Sequence, residues 1–76
     1  MLVGSKALAV GIATDFLAAH PYTKKAKNAV HTLIAVTPPT AQQPRWVIVL
    51  KAATTQKVVT IIVYAETGQV TYGAGV

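Results

Sequence analysis

Arg45-Trp46-Val47-Ile48-Val49-Leu50-Lys51, then Lys57-Val58-Val59-Thr60-Ile61-Ile62-Val63-Tyr64-Ala65, then Glu66-Thr67-Gly68-Gln69-Val70-Thr71-Tyr72-Gly73 decide the fold of this chain. Three runs rich in β-branched and aromatic residues are separated by two polar turns, a pattern that predicts an antiparallel β-meander. The first run places Trp46, Ile48 and Leu50 on one face and Val47, Val49 and Lys51 on the other, because side chains alternate across a strand. In the second, Val59, Ile61 and Val63 oppose Val58, Thr60, Ile62 and Tyr64. Ala53 to Gln56 forms one turn. Glu66-Thr67-Gly68 forms the other, with Gly68 free to take a positive φ.

Upstream, Ser5 is a natural N-cap, and Leu8, Ile12 and Phe16 recur at four-residue spacing beside Ala9, Ala13 and Leu17. This spacing predicts one helix over about residues 6 to 19, ended by His20-Pro21, since the residue before proline is pushed out of the helical region. Gly11 within it is read either as a point of close packing on the sheet or as a surface glycine. Residues 29 to 37 fit two patterns. Val30, Leu33 and Ile34 form a helical stripe, while Val30, Thr32, Ile34 and Val36 alternate as in a strand. β-Branched content and the Pro38-Pro39 stop favour the strand. The expected architecture is α+β, one domain over residues 1 to 76, with an N-terminal helix packed on a three- to four-stranded antiparallel sheet in the order α-β-β-β-β.

Composition narrows the function classes. The 76 residues are 53% hydrophobic and 12% charged, with no cysteine. Disulfides and thiolate metal sites are excluded. A core of this size is marginal alone, and one helix can cover only one face of a sheet whose two faces are both apolar. The chain is therefore expected to self-associate or to keep an apolar face for a partner. Val47, Val49, Val59, Ile61 and Val63 are the positions expected to form that protein-binding or oligomer face. Strand edges at Ala29 to Val36 or Val70 to Gly73 offer a second route, pairing with an extended peptide or another copy.

Chemistry-bearing residues are sparse. Asp15 and Glu66 are the two acids against seven Lys or Arg, one predicted on the helix and one in a turn, with nothing to bring them together as a catalytic pair. His20 reads as a helix-terminal residue and His31 as a partly exposed strand position. Neither shows the spacing of a metal site. No enzyme activity, metal or cofactor is expected. The net charge of +5 admits an acidic partner, and Lys24, Lys25, Lys27, Arg45 and Trp46 are the candidate contacts of an alternative reading, a binder of single-stranded nucleic acid, with basic side chains on phosphates and an aromatic stacking on a base. A structural homo-oligomer of viral or envelope origin is a further alternative. The apolar run Ala7 to Ala19 is interrupted by Asp15 and falls short of the roughly 20 residues of a transmembrane helix. It reads as part of the fold and not as a signal peptide.

Ile61-Ile62-Val63-Tyr64-Ala65-Glu66-Thr67-Gly68-Gln69-Val70 is similar to the hairpin signature of the PepSY domain family, with Ala65, Thr67, Gly68 and Val70 on pattern positions. Trp46-Val47-Ile48-Val49 resembles the aromatic-led strand of that family, and the element order agrees over about residues 7 to 72. Tyr64 departs from the pattern, standing where the family usually has an aspartate. The resemblance implies a small non-catalytic protein-binding module, often inhibitory toward peptidases and usually outside the cytoplasm. Without it, a cytoplasmic location is the default.

Overall fold

The computed structural model describes residues 2–22 and 30–73. One helix, α1 (Lys6–Ala19), precedes four strands, β1 (His31–Thr37), β2 (Arg45–Ala52), β3 (Val58–Tyr64) and β4 (Val70–Tyr72). The strands pair antiparallel in the order β1-β2-β3-β4, so every strand lies beside its neighbour in sequence. This is the α+β arrangement expected from the sequence, with the fourth strand present and residues 31 to 37 extended. Ala29, at the start of the ambiguous segment, lies outside the described residues.

The helix begins where Ser5 stands in extended conformation and its hydroxyl accepts a hydrogen bond from the Leu8 N–H at 3.2 Å. One otherwise orphaned N–H of the first turn is thereby satisfied. At the other end the His20 N–H donates to the Phe16 carbonyl at 2.8 Å before Pro21 stops the turn. Ala9, Ala13 and Leu17, at i, i+4 and i+8, are the buried stripe. Ile12 and Phe16 pack at its margin, whereas Leu8, expected in the apolar face, is 55% exposed. Two alanines at the centre let the helix axis approach the sheet closely. The contact face is therefore set by the smallest residues of the apolar stripe. Gly11 points to solvent with open space around it, which settles it as a surface glycine.

In β2 burial alternates strictly, with Trp46, Ile48, Leu50 and Ala52 buried. In β3, Val59, Ile61 and Val63 are buried likewise. The register pairs Ile48 with Ile61 and Leu50 with Val59, and cross-strand partners share a face. The core is thus one layer of β-branched side chains beneath α1. β1 departs from simple alternation. Leu33 pairs with Leu50, but the next ladder pair is Ala35 with Val49, so Ile34 is the extra residue of a β-bulge. The bulge shifts the parity, and Val36 falls on the helix side opposite Ile48, where alternation from Thr32 would have put it on the other.

Both tight hairpins use the same loop. In the first, the Ala52 carbonyl accepts from the Gln56 N–H at 2.9 Å and the Ala52 N–H donates to the Lys57 carbonyl at 2.9 Å. In the second, the Tyr64 carbonyl accepts from Gly68 and the Tyr64 N–H donates to Gln69, each at 2.8 Å. A threonine precedes the last loop residue in each. Thr55 Oγ1 accepts from the Lys57 N–H, and Thr67 Oγ1 from the Gln69 N–H. The last loop residue is left-handed in both, Gln56 at φ 63° and Gly68 at φ 76°. Glycine meets this requirement without penalty. Glutamine does so at about 1–2 kcal/mol.

The two ends of the helix–sheet sandwich are closed differently. At the helix N-terminus, the buried Trp46 indole N–H donates to the Val3 carbonyl at 2.8 Å, and the Val3 N–H donates to the Ala65 carbonyl at 3.0 Å. Val3 is itself buried. At the C-terminal end Phe16 stacks edge-on to Tyr72 at 5.0 Å, and Tyr22 meets both Tyr72 and His31 near perpendicular.

Five substitutions read these features by thermal or denaturant unfolding. Gln56→Gly is expected to stabilise by about 0.5–1 kcal/mol, the left-handed penalty less the extra entropy of glycine, while Gly68→Val loses more than about 1–2 kcal/mol at the equivalent position. Gly11→Ala is expected to gain up to about 1 kcal/mol. Equal melts for the parent and Gln56→Gly would show that the first loop stores no strain. Trp46→Phe keeps a ring in the core and removes the N–H, leaving the Val3 carbonyl without its donor. A loss of about 1–3 kcal/mol is expected, against about 0.5 or less for Leu8→Ala on the exposed helix side.

Candidate functional site

The five positions expected as one interaction face divide between two. Val59, Ile61 and Val63 are fully buried under α1, because the register sets them beside Leu50, Ile48 and Trp46. Val47 and Val49 lie on the opposite face, where Val47 pairs with Ile62 and Val49 with Thr60. Among the described residues no helix or strand covers that second face. Its rows run Arg45–Tyr64, then Thr37–Val47–Ile62–Thr71, then Ala35–Val49–Thr60, then Thr32–Lys51–Val58. The β2 and β3 members are half-buried apart from exposed Val58. The accessible face is therefore apolar along Val47, Val49 and Ile62, threonine-rich on its flanks, and cationic at both ends of β2.

The basic-aromatic site fares differently. Trp46 is 7% exposed and its indole is committed to Val3, so it has no free ring face for a base. Arg45, its neighbour in sequence, projects to the other side of the sheet, and its guanidinium reaches Gln43 Oε1 at 3.5 Å. Alternation along a strand separates these two side chains, and the nucleic-acid reading loses its stacking residue. Lys24, Lys25 and Lys27 lie outside the described residues.

Beside the core, between β1 and the start of α1, is a groove of about 570 Å³ lined by Lys6, Leu33, Ile34, Ala35, Val36, Pro38 and Trp46. It exists because α1 packs on β2, β3 and β4 and leaves the helix-side flank of the edge strand β1 uncovered. Leu33 and Ile34 remain 37% and 50% exposed there. The groove depends on the bulge, which could not be read from the alternation of the segment.

Polar chemistry is confined to the aromatic end. The Tyr22 hydroxyl and His31 Nε2 are hydrogen-bonded at 3.1 Å, and the Tyr72 hydroxyl donates to the His20 carbonyl. The His20 ring lies 5.0 Å from Phe16, and Lys57 Nζ sits 5.5 Å from the centre of the Tyr22 ring. These contacts fasten the chain after α1 to β1 and β4. Among the described residues no group of three His, Asp or Glu comes together to hold a metal ion. Asp15 lies exposed on the helix and Glu66 exposed at a hairpin tip. No helix among the described residues is long and apolar enough to cross a membrane.

Burial, and second the neighbouring Tyr22, raise the Tyr72 phenol above its ordinary value of 10.0. The folded state thus holds this proton more tightly than the unfolded chain. Its contribution to stability is complete below about pH 10 and is lost as pH rises through the raised value. Melting temperatures are expected to fall above pH 10, and less steeply in Tyr72→Phe. Identical alkaline slopes for the two proteins would remove Tyr72 as the cause. No protein-family model, curated protein or solved structure matches this chain, and the resemblance of its hairpin to the PepSY modules is neither supported nor contradicted.

Proposed function

We propose that the protein is a non-catalytic protein-interaction module whose uncovered sheet face docks a second copy of itself. The observation that carries this reading is the single helix on a two-faced sheet. Val47, Val49 and Ile62 form an apolar centre with nothing above it among the described residues, while threonines and the two cations make a polar surround. That is the composition of an interface with a dry middle and a wet rim. Three strands about 23 Å long and a fourth of about 10 Å, spaced about 4.8 Å apart, give a planar footprint of roughly 380 Å². Side-chain relief raises this toward the ~800 Å² that each partner contributes to a standard interface. The hairpin likeness to the PepSY modules supports a binding role, as does the dispersed placement of Asp15 and Glu66.

The charges give the association a signature. Arg45 and Lys51 stand at opposite ends of β2, and neither of the chain's two acids is on that face. Stacking two copies brings cation toward cation at the rim in either orientation, a repulsion that salt screens. Sedimentation equilibrium is expected to show a dimer that tightens between 50 and 500 mM salt, and Ile62→Lys or Val49→Lys is expected to shift it to monomer without lowering the melting temperature of the isolated fold by more than a few degrees. A monodisperse monomer at high micromolar concentration, or a dimer indifferent to both substitutions, would overturn the reading.

A further inference from the structure

We infer that the groove between β1 and the start of α1 takes a short extended peptide that carries an acidic residue, added as a strand along the outer edge of β1 beside Leu33 to Thr37. The inference rests on the reading of the chain as a protein-interaction module and names the partner class of a second surface. The backbone supplies the first part of the argument. β1 is the outer strand of the sheet, so one side of its ladder has no strand beside it among the described residues. It holds neither Lys, Glu nor Pro, and the bulge at Ile34 is the one guard of such an edge that it carries. β4, the opposite edge, spans three residues and offers a far shorter template.

Side chains supply the second part. A strand added at this edge points every second side chain to the groove side. There it meets the apolar lining of the groove, Leu33, Ile34, Val36, Pro38 and Trp46. The bulge brings Ile34 into the same wall as Leu33, so the edge carries more apolar surface toward the groove than alternation would allow. A volume of about 570 Å³ holds two or three aliphatic side chains, within the ordinary range of recognition sites.

Charge decides the occupant. Among the described residues the groove has one ionised group, Lys6, in the first turn of α1, where the helix dipole adds partial positive charge. A second copy does not supply the matching group. Its two acids are Asp15, inside α1, and Glu66, in a hairpin turn, and neither sits in an extended segment able to pair with β1. The complement is a foreign peptide with aliphatic residues at alternate positions and a carboxylate on the same side.

The test is fluorescence anisotropy with a labelled, end-blocked peptide of sequence Thr-Val-Thr-Val-Thr-Glu-Thr, beside a control with Lys in place of Glu. The Glu peptide is expected to bind at micromolar to submillimolar concentration, at least fivefold tighter than the Lys control, and to weaken between 50 and 500 mM salt. Lys6→Glu is expected to reverse the preference between the two peptides. Ile34→Arg, at a half-exposed edge position that leaves the core intact, is expected to weaken the Glu peptide more than tenfold. Circular dichroism melts confirm that both variants are folded, and Lys6→Glu, on the exposed helix N-terminus, keeps the test decisive if Ile34→Arg is not. Equal binding of both peptides, no binding at 1 mM, or unchanged affinity in a folded variant would overturn the inference. Sedimentation of the same samples separates the two surfaces. A monomer that binds the Glu peptide overturns the sheet-face dimer alone, and a dimer that does not bind it overturns the groove alone.

Discussion

The hydrogen bond from the Trp46 indole to the Val3 carbonyl is the constraint on which the arrangement of this domain depends. A buried tryptophan must place its N–H on an acceptor or lose the free energy of a hydrogen bond. Here the acceptor is the backbone of a residue 43 positions away. Because the Val3 N–H is held in turn by Ala65, the N-terminal segment is pinned between the start of β2 and the end of β3. Ser5 then caps a helix whose starting point is already fixed, and Ala9, Ala13 and Leu17 fall over Ile48 and Ile61 within one core. At the far end the ring cluster of Phe16, Tyr22, Tyr72 and His31 performs the same closure through packing.

This placement of the helix explains both candidate surfaces. Pinned at Val3 and at Tyr72, α1 lies over β2, β3 and β4, and β1 is left as a flank without a roof. The groove is the geometric remainder of a helix narrower than the sheet it covers. The uncovered sheet face has a separate origin, in described residues that make one helix against four strands. One surface is cationic at its rim on a sheet face, the other at a helix terminus, so opposite responses to salt are built into them if the first meets its own copy and the second an acid.

Much of the architecture was legible in the sequence because it rests on local rules. The period-two pattern from Arg45 to Tyr64 gave both faces of β2 and β3, Ser5 and His20-Pro21 bounded the helix, and Gly68 marked the left-handed turn position. What was hidden depends on pairing. Grouping Val47 and Val49 with Val59, Ile61 and Val63 required a register that sequence does not state. The ladder instead sets Val47 beside Ile62. The bulge at Ile34 is an insertion relative to β2 and has no signal within β1 itself. Gln56 was placed in a turn correctly, but its left-handed backbone became visible only by likeness to the Gly68 loop. Trp46 was read as a base-stacking candidate because its partner, a main-chain carbonyl near the N-terminus, leaves no trace in composition or spacing.

The tie between Val3 and Ala65 also orders events during synthesis. The helix leaves the ribosome before the four strands and can find its place only after them. Its buried stripe docks on strands that end at Tyr72, and Val3 cannot be enclosed until Ala65 has emerged. Until then the chain presents Ala9, Ile12, Ala13, Phe16 and Leu17 without the strands that cover them, while β1 through β3 can pair with one another as they appear. A domain whose closing strap precedes its strands is completed only once the strand partners of that strap have been made.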